Sequence, residues 1–153
     1  MAKGLGACVE AEPGQNGDFV RLGFMENNVE NFGAYCADNA TSGCTFKCTA
    51  GSKSCFNAEL FCGGFKNPDS PCTAECVSAQ YNCENAKLFC GRDHNCEVTT
   101  TNGVNMQITC PRHETLEASV QLSCSVTCRD GQYACKSLNV FSPDPTVPLS
   151  VSV

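Results

Sequence analysis

Residues 44–62 read CTFKCTAGSKSCFNAELFC, and this stretch decides the fold because its cysteine spacing returns along the chain. Its four cysteines are separated by three, six and six residues, and residues 72–90 repeat that spacing after a shift of 28 positions. A third copy runs from Cys96 to Cys110 without its two middle cysteines. Internal repeats of this length are typical of solenoids, in which each unit buries its apolar face against the next.

The remaining copies are incomplete in an informative way. Thr100 and Gly103 occupy the two middle cysteine positions of the third copy. A fourth copy ends at Ser142 where a cysteine would stand, after Cys124, Cys128 and Cys135. Cys36 supplies the last cysteine of a degenerate copy ahead of the first, so that only Cys8 among fifteen cysteines is left outside the template.

The residues between the cysteines alternate in polarity. In Cys72-Thr-Ala-Glu-Cys76 the first, third and fifth positions are cysteine or apolar, whereas the second and fourth are polar. Ala58, Leu60 and Cys62 share one face in the second segment of the repeat. A period of two predicts half-buried strands. We therefore expect an all-β, flattened parallel β-solenoid of about four to five coils of roughly 28 residues, stapled by disulfides along both edges.

The paired gaps in the template favour one disulfide scheme. The third copy loses its second and third cysteines together, and the turn between them shortens. Facing sheets lie about 10 Å apart, which is too far for a disulfide, so bridges belong at the edges where the walls converge. The favoured pairs are Cys48–Cys55, Cys76–Cys83 and Cys128–Cys135 on one edge, and Cys36–Cys44, Cys62–Cys72, Cys90–Cys96 and Cys110–Cys124 on the other. Pairing up each column, with Cys128 joined to Cys135, remains the alternative.

Three segments follow from this pattern. Residues 1–28 are expected to form an N-terminal cap or interaction segment, with Val20, Leu22 and Phe24 in alternation. Residues 29–142 form the cysteine-laddered solenoid. Residues 143–153 form a proline-rich arm that ends in alternating Leu149, Val151 and Val153, which we interpret as a strand donated to a neighbouring subunit.

The repeated strand and the motif Cys-x2-Ala-x-Leu-Phe-Cys, seen at 55–62 and 83–90, resemble the cysteine-rich β-solenoid repeats of secreted proteins in protists and algae. The architecture is also similar to the disulfide-stapled β-helices of insect antifreeze proteins, although the period is longer and a repeated Thr-x-Thr face is missing. The resemblance covers residues 29–142. It implies a fold and a secreted location but no specific activity.

Composition narrows the functional classes. The net charge is −6 with ten Lys plus Arg and no basic cluster, so we expect no nucleic-acid partner. No stretch has the length of a membrane-spanning helix, and no apolar signal segment opens the sequence. Cysteine density of this order is typical of oxidising, extracellular compartments.

No constellation of catalytic groups emerges, so the chain is not expected to be an enzyme or to need a cofactor. Zinc sites favour Cys-x2-Cys knuckles, which do not occur here. His94 and His113 fall in polar segments and are interpreted as solvated loop residues. Glu59 points outward with Lys87 and Gln107 above it in the stack, which gives no carboxylate pair for glycoside hydrolysis.

The expected function is that of an extracellular structural protein, a self-assembling subunit of a filament, wall or surface appendage. Its partners would be copies of itself, joined head to tail through Cys8, Leu149, Val151 and Val153. Asn39-Ala-Thr41 is a glycosylation sequon in a loop. The alternative is a secreted surface-binding module for ice, glycan or mineral, because threonines and serines recur on the outward positions of the first strand.

Overall fold

The computed structural model describes residues 8–10, 20–21, 33–35, 44–48, 55–63, 71–76, 83–101, 103–114, 120–129 and 135–153. These residues form twelve short strands: β1 (Cys8–Glu10), β2 (Val20–Arg21), β3 (Gly33–Tyr35), β4 (Cys44–Lys47), β5 (Glu59–Phe61), β6 (Cys72–Cys76), β7 (Lys87–Phe89), β8 (Cys96–Thr100), β9 (Gln107–Thr109), β10 (Cys124–Cys128), β11 (Asn139–Phe141) and β12 (Leu149–Ser152). Within this part of the chain no helix is long and apolar enough to cross a bilayer.

The strands divide into two parallel sheets. One sheet contains the odd-numbered strands and the other the even-numbered strands, each in chain order, and we call them the odd sheet and the even sheet. The chain therefore winds from one wall to the other and advances one rung per coil, which confirms the expected parallel β-solenoid. Each sheet has six strands, more than the four to five coils expected, because β1, β2 and β12 add rungs beyond the cysteine template.

Two stacks of inward side chains lie within the core. In the even sheet, Ala74, Val98 and Val126 lie in register and are buried. In the odd sheet, Leu60, Leu88 and Ile108 do the same. Residues that alternate with them are less buried, as in the pattern of β10, Cys124–Cys128. The period of two seen in the sequence is thus the alternation between the core and solvent.

Disulfides join the two walls at both edges. The paired cysteines have Cα atoms 5.6 to 6.0 Å apart, within the range that a disulfide can bridge. Each described bridge closes one crossing between the two sheets, and none of these bridges joins neighbouring strands of the same sheet. The pairs are Cys48–Cys55, Cys62–Cys72, Cys76–Cys83, Cys90–Cys96, Cys110–Cys124 and Cys128–Cys135. Cys36 lies outside the described residues. A bridge of this loop length contributes about 2–3 kcal/mol by restricting the unfolded chain.

One row of turns uses a backbone conformation that most side chains avoid. Cys55, Cys83 and Cys135 have φ between 55° and 60°, and the residue two positions later also has positive φ. In these three turns the second residue is Asn57, Asn85 or Ser137. The third copy has Gly103 in place of the cysteine, and Asn105, two residues later, also has a positive φ. Asparagine tolerates the left-handed region better than most residues. The amide Nδ2 of Asn105 also donates to Oδ1 of Asn85 at 3.2 Å, which links neighbouring rungs.

The missing bridge of the third copy is replaced by close packing. Thr100 lies in register with Cys76 and Cys128 and is fully buried. Its hydroxyl has no hydrogen-bond partner among the described residues. A Cβ added at Gly103 would lie 2.6 Å from this hydroxyl oxygen, so Gly103 is needed for space at a turn that contains only two residues. Threonine and glycine together fill the volume that a disulfide occupies in the other coils.

We expect Gly103→Ala to lower the free energy of unfolding by about 1–3 kcal/mol, because the new methyl group clashes with Thr100. Thr100→Ala removes the clashing hydroxyl, and the double variant T100A/G103A should recover at least about 1 kcal/mol relative to G103A. Urea unfolding of the oxidised proteins measures the cycle, with T100A alone as the control. Additive effects of the two substitutions would contradict this account of the turn.

Candidate functional site

The carboxy-terminal end of the solenoid is the most unusual surface in the described structure. Here β11 and β12 are the last strands of their sheets, and no described strand pairs with their outer edges. The exposed large apolar side chains of the described residues all lie at this end: Phe141, Leu149, Val151 and Val153, with exposed fractions of 64%, 42%, 48% and 102%. Edge strands with exposed apolar side chains readily pair with further strands.

The expected donated strand pairs within its own chain. Leu149, Val151 and their neighbours form β12, which lies parallel to β10. Leu149 is in register with Cys124, and Val151 is in register with Val126. The apolar alternation that suggested donation to another subunit is thus satisfied as the next rung of the even sheet. Of residues 143–153, the strand Leu149–Ser152 belongs to the solenoid and is not a free arm.

The other predicted contact and modification residues are less informative. Cys8 opens β1, in register with Gly33, and its side chain is not among those described. Asn39 lies outside the described residues. Cys44 begins β4, in register with Cys72. Val153 follows the last residue of β12 and is fully exposed.

The crossing from β11 to β12 lacks the disulfide that closes the preceding crossings on the same edge. Cys62–Cys72, Cys90–Cys96 and Cys110–Cys124 close the crossings that follow β5, β7 and β9. The amide of Cys110 donates to the carbonyl of Phe141, which places Ser142 next to Cys110 in the stack. Ser142 and Leu149 therefore occupy the two positions where cysteines would be bridged.

A polar cluster replaces that bridge. Asp144, in the segment between β11 and β12, accepts from the backbone amide of His113 at 2.9 Å and from its ring Nδ1–H at 2.8 Å. The other carboxylate oxygen accepts from the amide and hydroxyl of Thr146 at 2.9 and 2.6 Å. The ring Nε2–H of His113 donates to the carbonyl of Val120 at 2.8 Å. We call His113, Asp144 and Thr146 the clasp.

The clasp favours a charged imidazole. Both ring nitrogens of His113 face acceptor oxygens, so both must carry protons for both bonds to form. The Val120 carbonyl and the Asp144 carboxylate raise the pKa of His113 above its ordinary value. The backbone amide of His113 and the Thr146 hydroxyl hold the pKa of Asp144 far below its usual range. The prediction that His113 is a solvated loop residue is therefore wrong.

His94 is buried as well, contrary to its interpretation as a solvated residue. It is 0% exposed, and its Nε2 and Nδ1 lie 2.9 Å from the carbonyl oxygens of Gly63 and Asn95. Burial lowers the pKa of His94 because the charged ring is separated from water. This effect outweighs the carbonyls of Asn95 and Gly63, which act in the opposite direction, so the ring is neutral and donates from one nitrogen at a time. Gly91 allows the turn that carries His94 to approach Gly63 closely. It has a φ of +82°, and a Cβ added there would lie 2.3 Å from the carbonyl oxygen of Cys62.

Metal or carboxylate chemistry finds little support among the described groups. The sulfur atoms of Cys48, Cys76 and Cys83 lie within 4.8 Å of one another, but each belongs to a disulfide and has no thiolate to offer a metal. Glu59 pairs with Lys87 at 3.7 Å on an exposed face. An exposed pair of this kind stabilises a protein very little.

The outer face of the even sheet carries two columns of mostly hydroxyl-bearing residues. One column is Thr73, Glu97, Ser125 and Ser150, and the other is Glu75, Thr99, Thr127 and Ser152. The rungs β10 and β12 contribute four hydroxyls without a charge. On the odd sheet, the partly buried rings of Phe61 and Phe89 stack with their centroids 4.7 Å apart.

No protein-family model, no curated protein and no solved structure matches this chain.

The buried imidazole of His94 should make the fold sensitive to acid. A histidine whose folded pKa is lowered binds its proton more readily in the unfolded chain, so its contribution to stability is lost as the pH falls below about 6.5. We expect the free energy of unfolding of the wild type to fall more between pH 7 and pH 5 than that of His94→Gln. Urea titrations at both pH values test this. His113→Gln removes the histidine whose pKa is raised, so in that variant the fall should be at least as large as in the wild type. An equal fall in the wild type and H94Q would contradict it.

Proposed function

We propose that this protein is an extracellular structural subunit that assembles head to tail into a filament, wall or surface appendage. The observation that carries the proposal is the carboxy-terminal end, where no strand of the described residues pairs with the outer edges of β11 and β12, beside exposed Leu149 and Val151. Unpaired backbone groups and apolar side chains on the same edge both favour the addition of further strands.

A second copy of this chain fits that end better than an unrelated partner, because the packing already repeats. Successive coils alternate an odd strand and an even strand, all parallel. The end terminates in one complete coil, β11 and β12, and the opposite end begins with another, β1 and β2. A copy whose β1 follows β11 and whose β2 follows β12 would continue both sheets. Contacts between different surfaces of identical subunits generate open filaments when the rotation between copies does not close a ring, and copies stacked along one solenoid axis do not close.

The disulfides support an extracellular location. Twelve described cysteines are paired in bridges, and such bridges persist in oxidising compartments. A small interior filled by alanine, leucine and valine gains much of its stability from these covalent links. A protein of this construction suits an exposed structural role, because it keeps its shape where bridges are not reduced.

A charge in the inward column of the last rung should stop assembly. In Val151→Lys the ammonium group would be placed where the next copy must pack, so we expect polymers of the wild type to be replaced by monomers. Ser150→Lys adds the same charge on the neighbouring outward position of β12 and should assemble normally. Analytical ultracentrifugation and negative-stain electron microscopy measure the outcome. A wild type that stays monomeric at high concentration would refute the proposal.

The second candidate is a secreted surface-binding module, favoured by the hydroxyl columns of the even sheet. Thr99, Thr127 and Ser152 form a regular ladder at the rung spacing of about 4.8 Å. If this face binds ice, glycan or mineral, Thr127→Lys should weaken adsorption at least several-fold, whereas Asn139→Lys on the odd sheet should not. Thermal hysteresis and pull-down on insoluble polysaccharide and mineral powders provide the measurement. Equal adsorption of both variants would exclude this face.

A further inference from the structure

We propose that the clasp of His113, Asp144 and Thr146 is a releasable closure that holds β12 on the solenoid and thereby controls whether the carboxy-terminal end accepts a second copy. The inference rests on the head-to-tail assembly proposed above, and it names the regulation of that same end. Its basis is the replacement of a disulfide by a set of polar contacts at the last crossing between the walls.

The position of the clasp makes it reversible. Every preceding crossing on this edge from β5 onward is closed by a covalent bridge. At the last crossing Ser142 and Leu149 stand in the bridged positions, and the segment between them is held through Asp144 instead. Covalent bridges stay closed in an oxidising medium, whereas hydrogen bonds to an imidazole respond to pH. Among the crossings on this edge from β5 onward, the last is therefore the one that can open without reduction.

Asp144 also organises the segment that leads into β12. Its carboxylate holds Thr146 in a tight turn, and its carbonyl accepts from the amide of Val147 at 3.1 Å. Val147 is 3% exposed and packs into the core. Loss of the clasp would loosen the turn that buries Val147, so β12 would lose its attachment on the amino-terminal side.

The charge state of His113 decides whether the clasp is complete. Asp144 faces the ring from the β11–β12 segment, and Asp93 adds a more distant negative charge from the turn of residues 91–95. In that turn Arg92 pairs with Glu114, and Arg112 also pairs with Glu114, so these charges flank His113 and partly cancel. Residues 120–123 contribute no charged side chain. The protonated ring is the form that satisfies both of its acceptors.

The sign of the pH dependence follows from this arrangement. A histidine whose folded pKa is raised contributes stability that is fully present below its unfolded value of about 6.5. That contribution disappears as the pH rises through the folded pKa. The clasp is therefore closed in mildly acidic medium and weakens in alkaline medium. With β12 released, the odd sheet would end at β11 and the even sheet at β10, so the end would no longer present a complete coil.

Hydrogen exchange in dilute protein tests the clasp apart from assembly. We expect the protection factors of the amides of Ser150 and Ser152, which the parallel register directs at β10, to fall between pH 6 and pH 8.5 after correction for intrinsic exchange. The fall should be roughly tenfold for each unit by which the pKa of His113 is raised. In His113→Gln these amides should be poorly protected at both pH values. Glu97→Gln removes one charge from the outer face of β8 and should match the wild type.

A variant with a disulfide at the crossing from β11 to β12 serves as the reference in which β12 stays attached. Ser142→Cys together with Leu149→Cys occupies positions equivalent to Cys110 and Cys124, whose Cα atoms are 5.6 Å apart. The bridged variant should protect β12 at both pH values. Protection of β6 to β9 must match among all variants, which shows that the core is intact. If β12 protection in the wild type does not change with pH, or if H113Q matches the wild type, the clasp is refuted.

Sedimentation of the same proteins separates the two proposals. We expect the wild type to form polymers at pH 6 and to dissociate at pH 8.5, while the bridged variant forms them at both. If the wild type forms no polymers even at pH 6, where the clasp is closed, but β12 still responds through His113, the clasp exists and head-to-tail assembly is wrong. If wild type and bridged variant polymerise equally at both pH values, assembly stands and its control by the clasp is overturned.

Discussion

Closure of the two walls at their edges is the constraint on which this fold depends. Strands of only two to five residues have too few backbone hydrogen bonds to hold a register alone. A bridge such as Cys76–Cys83 fixes the inward orientation of two residues at once. Because side chains alternate between the two faces of a strand, the orientation of every neighbouring residue follows. A slip of one residue would turn a cysteine toward solvent and break the bridge. The disulfides therefore set the register as well as the stability, and the apolar columns of Leu60 and Val98 follow from them.

The cysteine spacing predicts most of the solenoid because covalent geometry leaves few arrangements. Bridged Cα atoms must lie within about 7 Å, so the paired gaps at Thr100 and Gly103 indicate which positions face each other. A prediction that relies on cysteine spacing cannot identify the last rung, because β12 contains no cysteine. Leu149 stands in a cysteine column, and only the alternation of Leu149 and Val151 marks β12, a pattern that equally fits a strand donated to another subunit. Asparagine two residues after Cys55 and Cys83 was a signal for the left-handed turns that spacing alone does not explain.

The histidines could not be placed from composition, because burial in a solenoid depends on contacts between coils. His94 lies in a polar segment, yet the close approach allowed by Gly91 brings its ring against the carbonyl of Gly63. The contact joins residues 31 positions apart, and nothing in the local sequence indicates it. Asp144-Pro-Thr146 does carry a local turn signal, since aspartate commonly accepts from the backbone two residues later. Its partner His113 is 31 positions away and has no such signal.

Two gaps in the disulfide ladder are filled by different physical means, and the difference follows from their positions. At Thr100 and Gly103 the gap lies inside the stack, where neighbouring rungs exclude water, and small residues in a short turn close it by packing. At Ser142 and Leu149 the gap lies at the end of the even sheet, where packing on one side is missing and a charged hydrogen-bonded cluster closes it. The two histidines then respond to pH in opposite directions. Acid charges His94 within the stack, whereas alkali removes the proton that completes the clasp at the end. Both histidines therefore favour the fully closed solenoid at a pH near the ordinary pKa of histidine. At higher pH the open end is the part that loosens first.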